Sequence, residues 1–178
     1  MKLQLNIDAS EEGDPQSPIN VQTQGGGQSL VPLDVVASLE RIFAEELASF
    51  YPDAAHYAQV EISVSFLNEG EMREINQKHR GVDEITDVLS FPLWENGGQF
   101  VPEPMTGFLP LGDILICPEG VKRFHDTLPY SEALCLLLAH GFLHLLAWDH
   151  DTPEKEHAMW ERQELLKSRL LPAFEEGL

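Results

Sequence analysis

The chain has 178 residues, with 30 acidic against 11 basic side chains and a formal net charge of -19. That length fits one domain with a single substantial core and argues against a second full one. The charge repels polyanions at long range, which speaks against a general nucleic-acid coat protein, and a hydrophobic fraction of 43% speaks against wholesale disorder.

Leu3, Leu5 and Ile7 alternate with Lys2, Gln4 and Asn6 in the period of a half-buried strand. The N-terminus lacks the continuous apolar run of a secretory signal, and no apolar stretch approaches the ~20 residues that cross a bilayer, so the cytoplasm is the expected location and no membrane partner is expected. Residues 9 to 30 contain Pro15, Pro18 and Gly25-Gly26-Gly27 and no aromatic side chain. Such a composition cannot offset the entropy of ordering, which predicts a flexible insertion. From Pro32 to about Phe50 the apolar positions Val35, Val36, Leu39, Ile42, Phe43 and Leu47 recur at helical spacing.

Val60, Ile62, Val64 and Phe66 alternate with polar residues and predict a second strand, followed by a helix through Glu71 to about His79. A third strand is expected from Asp87 to Phe91, stopped by Pro92. Residues 93 to 110, rich in Gly and Pro, predict a long loop or hairpin, and Asp113 to Cys117 a fourth strand. Pro118 starts the next helix. Ser131 to Ala147 is apolar at nearly every position, so that helix must be buried on most sides and form the core. Thr152-Pro153-Glu154 reads as a helix start, and Met159, Leu165, Leu166 and Leu170 carry an amphipathic helix toward the C-terminus.

Cys117 and Cys135 lie inside apolar runs, where free cysteine behaves as a small buried hydrophobe; no disulfide framework is implied. Arg73, Lys78, His79 and Arg80 form one basic island and Lys122, Arg123 and His125 another, against a mainly acidic stretch from Glu154 to Glu164. Each island reads either as a local attraction for phosphate or as an ordinary solvated helix face. No repeat occurs, strands and helices do not alternate strictly, and no glycine-rich phosphate loop follows a strand. A nucleotide-binding doubly wound fold is therefore disfavoured, and the expected class is α+β with a small sheet.

His140 and His144 are four apart on the buried helix, so their side chains leave one face within reach of a single ion. His150 follows the turn Ala147-Trp148-Asp149 and is placed to be a third ligand. Burying several imidazoles side by side is costly unless they share hydrogen bonds or a metal, and catalytic zinc takes three protein ligands plus a water. Neither Cys135 nor His157 is positioned as a fourth ligand, which favours an open, hydrolytic site over a closed structural one. Asp149 either accepts a ligand's second ring N–H or caps the turn. The 140, 144, 150 spacing equals that of H-E-x-x-H-x-x-G-x-x-H peptidases and keeps a metallopeptidase-like hydrolase as an alternative, but Gly141 stands where those enzymes carry their glutamate base.

The segment from His140 through Gly141, His144 and Asp149 to His150 resembles the signature of the YbeY family, single-strand-specific endoribonucleases of bacterial ribosomal RNA maturation. His79-Arg80-Gly81-Val82-Asp83 with Thr86-Asp87-Val88-Leu89-Ser90-Phe91-Pro92 resembles that family's arginine-bearing loop and strand, and Leu111 to Cys117 its later strand. The likeness runs from about Val60 to Glu164 with the order and approximate spacing of the three blocks kept. It implies one YbeY-like domain over 1–178, α+β and zincin-like, with a small mixed β-sheet of about four strands packed with helices, one of them buried and metal-bearing.

The resemblance also implies one Zn2+ per chain on His140, His144 and His150, with Arg80 contacting phosphate or stabilising charge that develops on it. It implies single-stranded rRNA precursor as substrate, a part in ribosome quality control, and small-subunit ribosomal proteins or an assembly GTPase as partners. A non-catalytic, zinc-stabilised ribosome-assembly factor remains a further alternative. Two positions depart from the family pattern. Ala147 replaces a usual glycine, where a left-handed backbone would cost alanine about 1 kcal/mol or more, so a differently shaped turn is expected. Ile85 replaces a usual proline and puts loop rigidity in question.

Overall fold

A computed structural model describes residues 1–9, 21–22, 28–29, 33–103 and 107–176. Most of the insertion expected at 9–30 lies outside the described residues; within it, β2 (Val21–Gln22) and β3 (Gln28–Ser29) pair antiparallel, and Ala9 closes β1 (Lys2–Ala9).

The main sheet has four strands in the order β1-β4-β8-β5, where β4 is Gln59–Phe66, β5 Val88–Pro92 and β8 Phe108–Ile116. β4 pairs parallel with both β1 and β8, and β5 runs antiparallel to β8, so the sheet is mixed. Burial alternates along β4, with Val60, Ile62, Val64 and Phe66 inside, as their spacing requires. The α+β class with a four-stranded mixed sheet is therefore the observed fold. Gly97 and Gly98, both at positive φ, turn the small hairpin of β6 (Glu95–Asn96) and β7 (Gln99–Phe100) inside the stretch read as a loop or hairpin.

β8 begins at Phe108, well before the expected Asp113. Pro110 masked the strand, because a proline cannot donate to a ladder and usually marks a strand's end. It is tolerated because β5 pairs with β8 only between Gly112 and Ile116, and the register beside it slips, Glu61 facing Pro110 and Ile62 facing Gly112. Leu111 is the extra residue of that bulge.

One face of the sheet is covered by α1 (Leu33–Phe50) and α4 (Tyr130–Leu145), and α5 (Pro153–Glu176) packs against both helices. Phe43 of α1 and Phe142 of α4 stack with ring centroids 4.1 Å apart. Glu46, 3% exposed, receives a two-pronged ion pair from Arg162, which fixes α5 against α1. On the other face a smaller cluster of Met72, Leu89 and Cys117 seats α2 (Glu69–Arg80). That helix starts two residues earlier than periodicity suggested, because Asn68 and Glu71 form a reciprocal capping box, each side chain accepting the other's backbone N–H at 3.0 Å. It ends at Gly81, whose left-handed φ of 73° makes Arg80 its last residue.

Candidate metal centre

α4 carries His140 and His144 one turn apart, and the chain after it brings His150 back over them. The turn is a Schellman closure: the Ala147 N–H donates to the His144 carbonyl at 2.9 Å and the Trp148 N–H to the Leu143 carbonyl at 3.0 Å. Such a closure requires a left-handed residue, and Ala147 supplies it at φ 61°. The expectation of a differently shaped turn is thereby corrected: two backbone hydrogen bonds and the burial of Leu146 beside it outweigh the strain on alanine.

One ligand nitrogen from each of His140, His144 and His150 lies within 4.8 Å of the others. The two remaining ring nitrogens on α4 are spoken for. His140 Nδ1–H donates to the Gln163 side-chain carbonyl at 2.8 Å, and His144 Nδ1–H donates to the Trp148 backbone carbonyl at 2.9 Å. Both imidazoles therefore present Nε2 lone pairs, and these face each other at 2.9 Å. Two acceptors that close repel unless a cation lies between them, so the donor set fits a metal ion. Among the described residues no fourth His, Cys, Asp or Glu joins the group, which leaves a coordination position for water or substrate.

Burial, with the neighbouring His140, lowers the pKa of His144 from 6.5 to about 4. Burial also lowers that of His140, helped by the charges of His150 and Arg80 and opposed by Gln163 and Asp87. Both rings are thus kept neutral, the form that ligates.

The Endoribonuclease YbeY family model matches residues 32–170. The chain belongs to the YbeY family. An endoribonuclease YbeY of a Thermoanaerobacter species is 38% identical over 120 residues, covering 62% of this chain and 74% of that one. The Geobacillus kaustophilus endoribonuclease YbeY is 38% identical over 143 residues, covering 78% and 88%. The solution structure of TM1509 from Thermotoga maritima aligns with a TM-score of 0.50 at 22% identity, over 97% of this chain and 93% of that one, a likeness of fold.

Against the YbeY pattern, Arg80 is exposed, and among the described residues no hydrogen bond or ion pair holds its guanidinium, yet its charge reaches His140. Two other arginines are held in ion pairs. Arg73 grips Asp83 through two hydrogen bonds of 2.7 and 2.8 Å, Arg123 pairs with Glu69 at 2.8 Å, and His79 lies edge-on to Phe91. The Arg73 pair, with Asn76 donating to the Glu84 carbonyl at 2.8 Å, anchors the loop in which Ile85 replaces proline. Asp149 accepts the backbone N–H of His150 at 2.8 Å, the turn-capping role, while Gln163 and Trp148 take the ring N–H groups.

Two features escaped sequence reasoning. Gln163 is 7% exposed within the apolar stripe of Met159, Leu166 and Leu170, and a polar residue interrupting such a stripe was the available signal. His125, read as part of a basic island, instead pairs with Asp87 at 2.8 Å. Both line a cavity of about 340 Å³ together with Asp87, His140, His150 and Glu156. No helix among the described residues is long and apolar enough to cross a membrane.

Proposed function

We propose that this chain, as a single domain, is a zinc-dependent endoribonuclease that cuts single-stranded RNA during ribosomal RNA maturation and ribosome quality control in the cytoplasm. The observation that carries the reading is the pair of Nε2 lone pairs on His140 and His144, turned toward one point by acceptors behind both rings, with His150 beside them. Membership of a family whose curated relatives are named endoribonucleases supplies the substrate class.

His140, His144 and His150 would hold one zinc ion, which when bound polarises a phosphoryl oxygen or lowers the pKa of a water. Gln163 and the Trp148 carbonyl fix the ring tautomers for that task. Arg80, free of an internal partner among the described residues, offers its planar fork to phosphate oxygens. Gly141 leaves the site without the glutamate base of the peptidases that share this spacing. With a net charge of -19, RNA affinity is weak and salt-sensitive on its own, which suits delivery by a ribosomal small-subunit protein or an assembly GTPase.

The test is zinc-loaded protein incubated with single-stranded and duplex RNA of ribosomal precursor sequence. Cleavage of the single strand alone is expected, lost in His144→Ala and in Arg80→Ala proteins whose circular dichroism is unchanged. Intact RNA under varied salt and metal, with retained binding to ribosomal particles, would overturn the reading in favour of an assembly factor.

A further inference from the structure

Asp87 and His125 form a dyad on the wall of the cavity that the metal ligands share. The Asp87 carboxylate is fully engaged: Oδ1 accepts the Val88 N–H at 2.8 Å and the Thr86 hydroxyl at 3.1 Å, and Oδ2 faces His125 Nε2 at 2.8 Å. A carboxylate so placed draws Nε2–H from the imidazole, and the lone pair of His125 is left on Nδ1. Among the described residues Nδ1 has no partner. Both side chains are 20% exposed, shielded from bulk water but open to the cavity.

The backbone holds this arrangement rigidly. The His125 N–H donates to the Val121 carbonyl, its own carbonyl accepts the Leu128 N–H, both at 3.0 Å, and the Asp87 carbonyl accepts the Cys117 N–H at 2.8 Å. The dyad shares its space with the reaction centre, since His140 and His150 line the same cavity and the charges of Asp87 and Arg80 both act on His140. The remaining titratable group on that wall is Glu156 of α5, and Asp126 follows His125 in the chain.

We propose that His125, oriented by Asp87, is the proton-transfer residue of this site, a role that rests on reading the chain as an RNA-cleaving enzyme. His125 Nδ1 takes the proton of the water whose oxygen attacks phosphorus. As the new O–P bond forms, the P–O bond to the leaving ribose breaks; the leaving oxygen keeps the bonding pair and takes a proton from bulk water. His125 then returns its proton to solvent, so one water is consumed per bond cut. Asp87 is a positioning residue, holding the ring and supporting the imidazolium.

The experiment compares unsubstituted, His125→Gln, His125→Ala and Asp87→Asn full-length proteins, zinc-loaded, on a fluorogenic single-stranded RNA, with zinc content and thermal unfolding measured on the same samples. Glutamine keeps a donor toward Asp87, so a purely structural staple survives in His125→Gln. The expected result is a kcat about 100-fold lower for His125→Gln, with KM, zinc content and melting temperature nearly unchanged. The acidic limb of the kcat–pH profile disappears, and added imidazole partly restores His125→Ala. Asp87→Asn shifts that limb. A readout independent of turnover is the imidazole 15N spectrum of the zinc-loaded protein, which must show His125 protonated on Nε2 and bare on Nδ1. Near-normal kcat in His125→Gln, a loss that tracks zinc or stability, or the opposite tautomer overturns the proposal while RNA cleavage by the unsubstituted protein stands. Absence of cleavage by the zinc-loaded unsubstituted protein overturns the functional reading and this proposal together.

Discussion

Gly141 and Ile114 lie so close that a Cβ on the glycine would stand 2.9 Å from Ile114 Cγ2. α4 rests directly on β8 at this point, so the position that carries glutamate in the peptidase motif faces the sheet here. Ile114 is fully buried and β-branched, and it has little freedom to retreat. Gly141→Ala is expected to lose about 1 kcal/mol net, because overpacking of about 1–3 kcal/mol exceeds the helix-propensity gain of about 1 kcal/mol. Urea unfolding of Gly141→Ala, Ile114→Ala, which removes Cγ2 with the rest of the branched side chain, and the double variant checks this. The double variant should be less destabilised than the sum of the singles, and strict additivity would disprove the contact.

Ala147 occupies a left-handed position at φ 61° that glycine adopts without strain. Ala147→Gly is expected to stabilise by up to about 1 kcal/mol, the relief of strain being partly offset by the flexibility glycine adds to the unfolded chain. For a domain of this size that raises the melting temperature by about 2–4 °C per kcal/mol. Calorimetry measures it, and metal stoichiometry should not change.

Gln163 fixes the tautomer of His140 from a helix 23 residues further along the chain. Gln163→Leu removes the acceptor behind the ring and is expected to weaken metal binding about 10–100-fold. Gln163→Glu keeps an acceptor at the same place and should retain affinity. Competition against a chromophoric chelator separates the two, and equal affinities would show that the hydrogen bond does not orient the ligand.

The metal-free protein should lose stability as pH falls from about 6.5 toward 4. Folded His144 has a pKa of about 4 against an ordinary 6.5, so in that window the unfolded chain binds a proton that the folded chain refuses. Above pH 6.5 both states hold the ring neutral and His144 adds no slope. Urea midpoints of metal-free protein at pH 7.5, 6 and 5, beside His144→Gln, measure this contribution; the variant should show a shallower decline.

Helices and strands with regular burial were legible in the amino-acid order. Val60 to Phe66 alternate because each strand residue flips face, and the α1 positions recur because one helical stripe meets the core. The N-terminal half of β8 was hidden by Pro110, whose missing donor is harmless only because β5 does not reach that far. The start of α2 rested on the side chains of Asn68 and Glu71, a local signal that hydrophobic periodicity overlooks.

His125 looked like a surface cation because its neighbours Lys122 and Arg123 are exposed, and only the approach of Asp87 shows otherwise. By itself the sequence determined the α+β class, the buried helix and the histidine spacing, since 3.6 residues per turn place positions 140 and 144 on one face whatever surrounds them. Only the tertiary structure decided which nitrogens face inward and what stands behind them. Gln163 and Asp87 reach their partners across 23 and 38 residues of chain, and contacts made by packing distant elements leave no periodic trace in the order of residues.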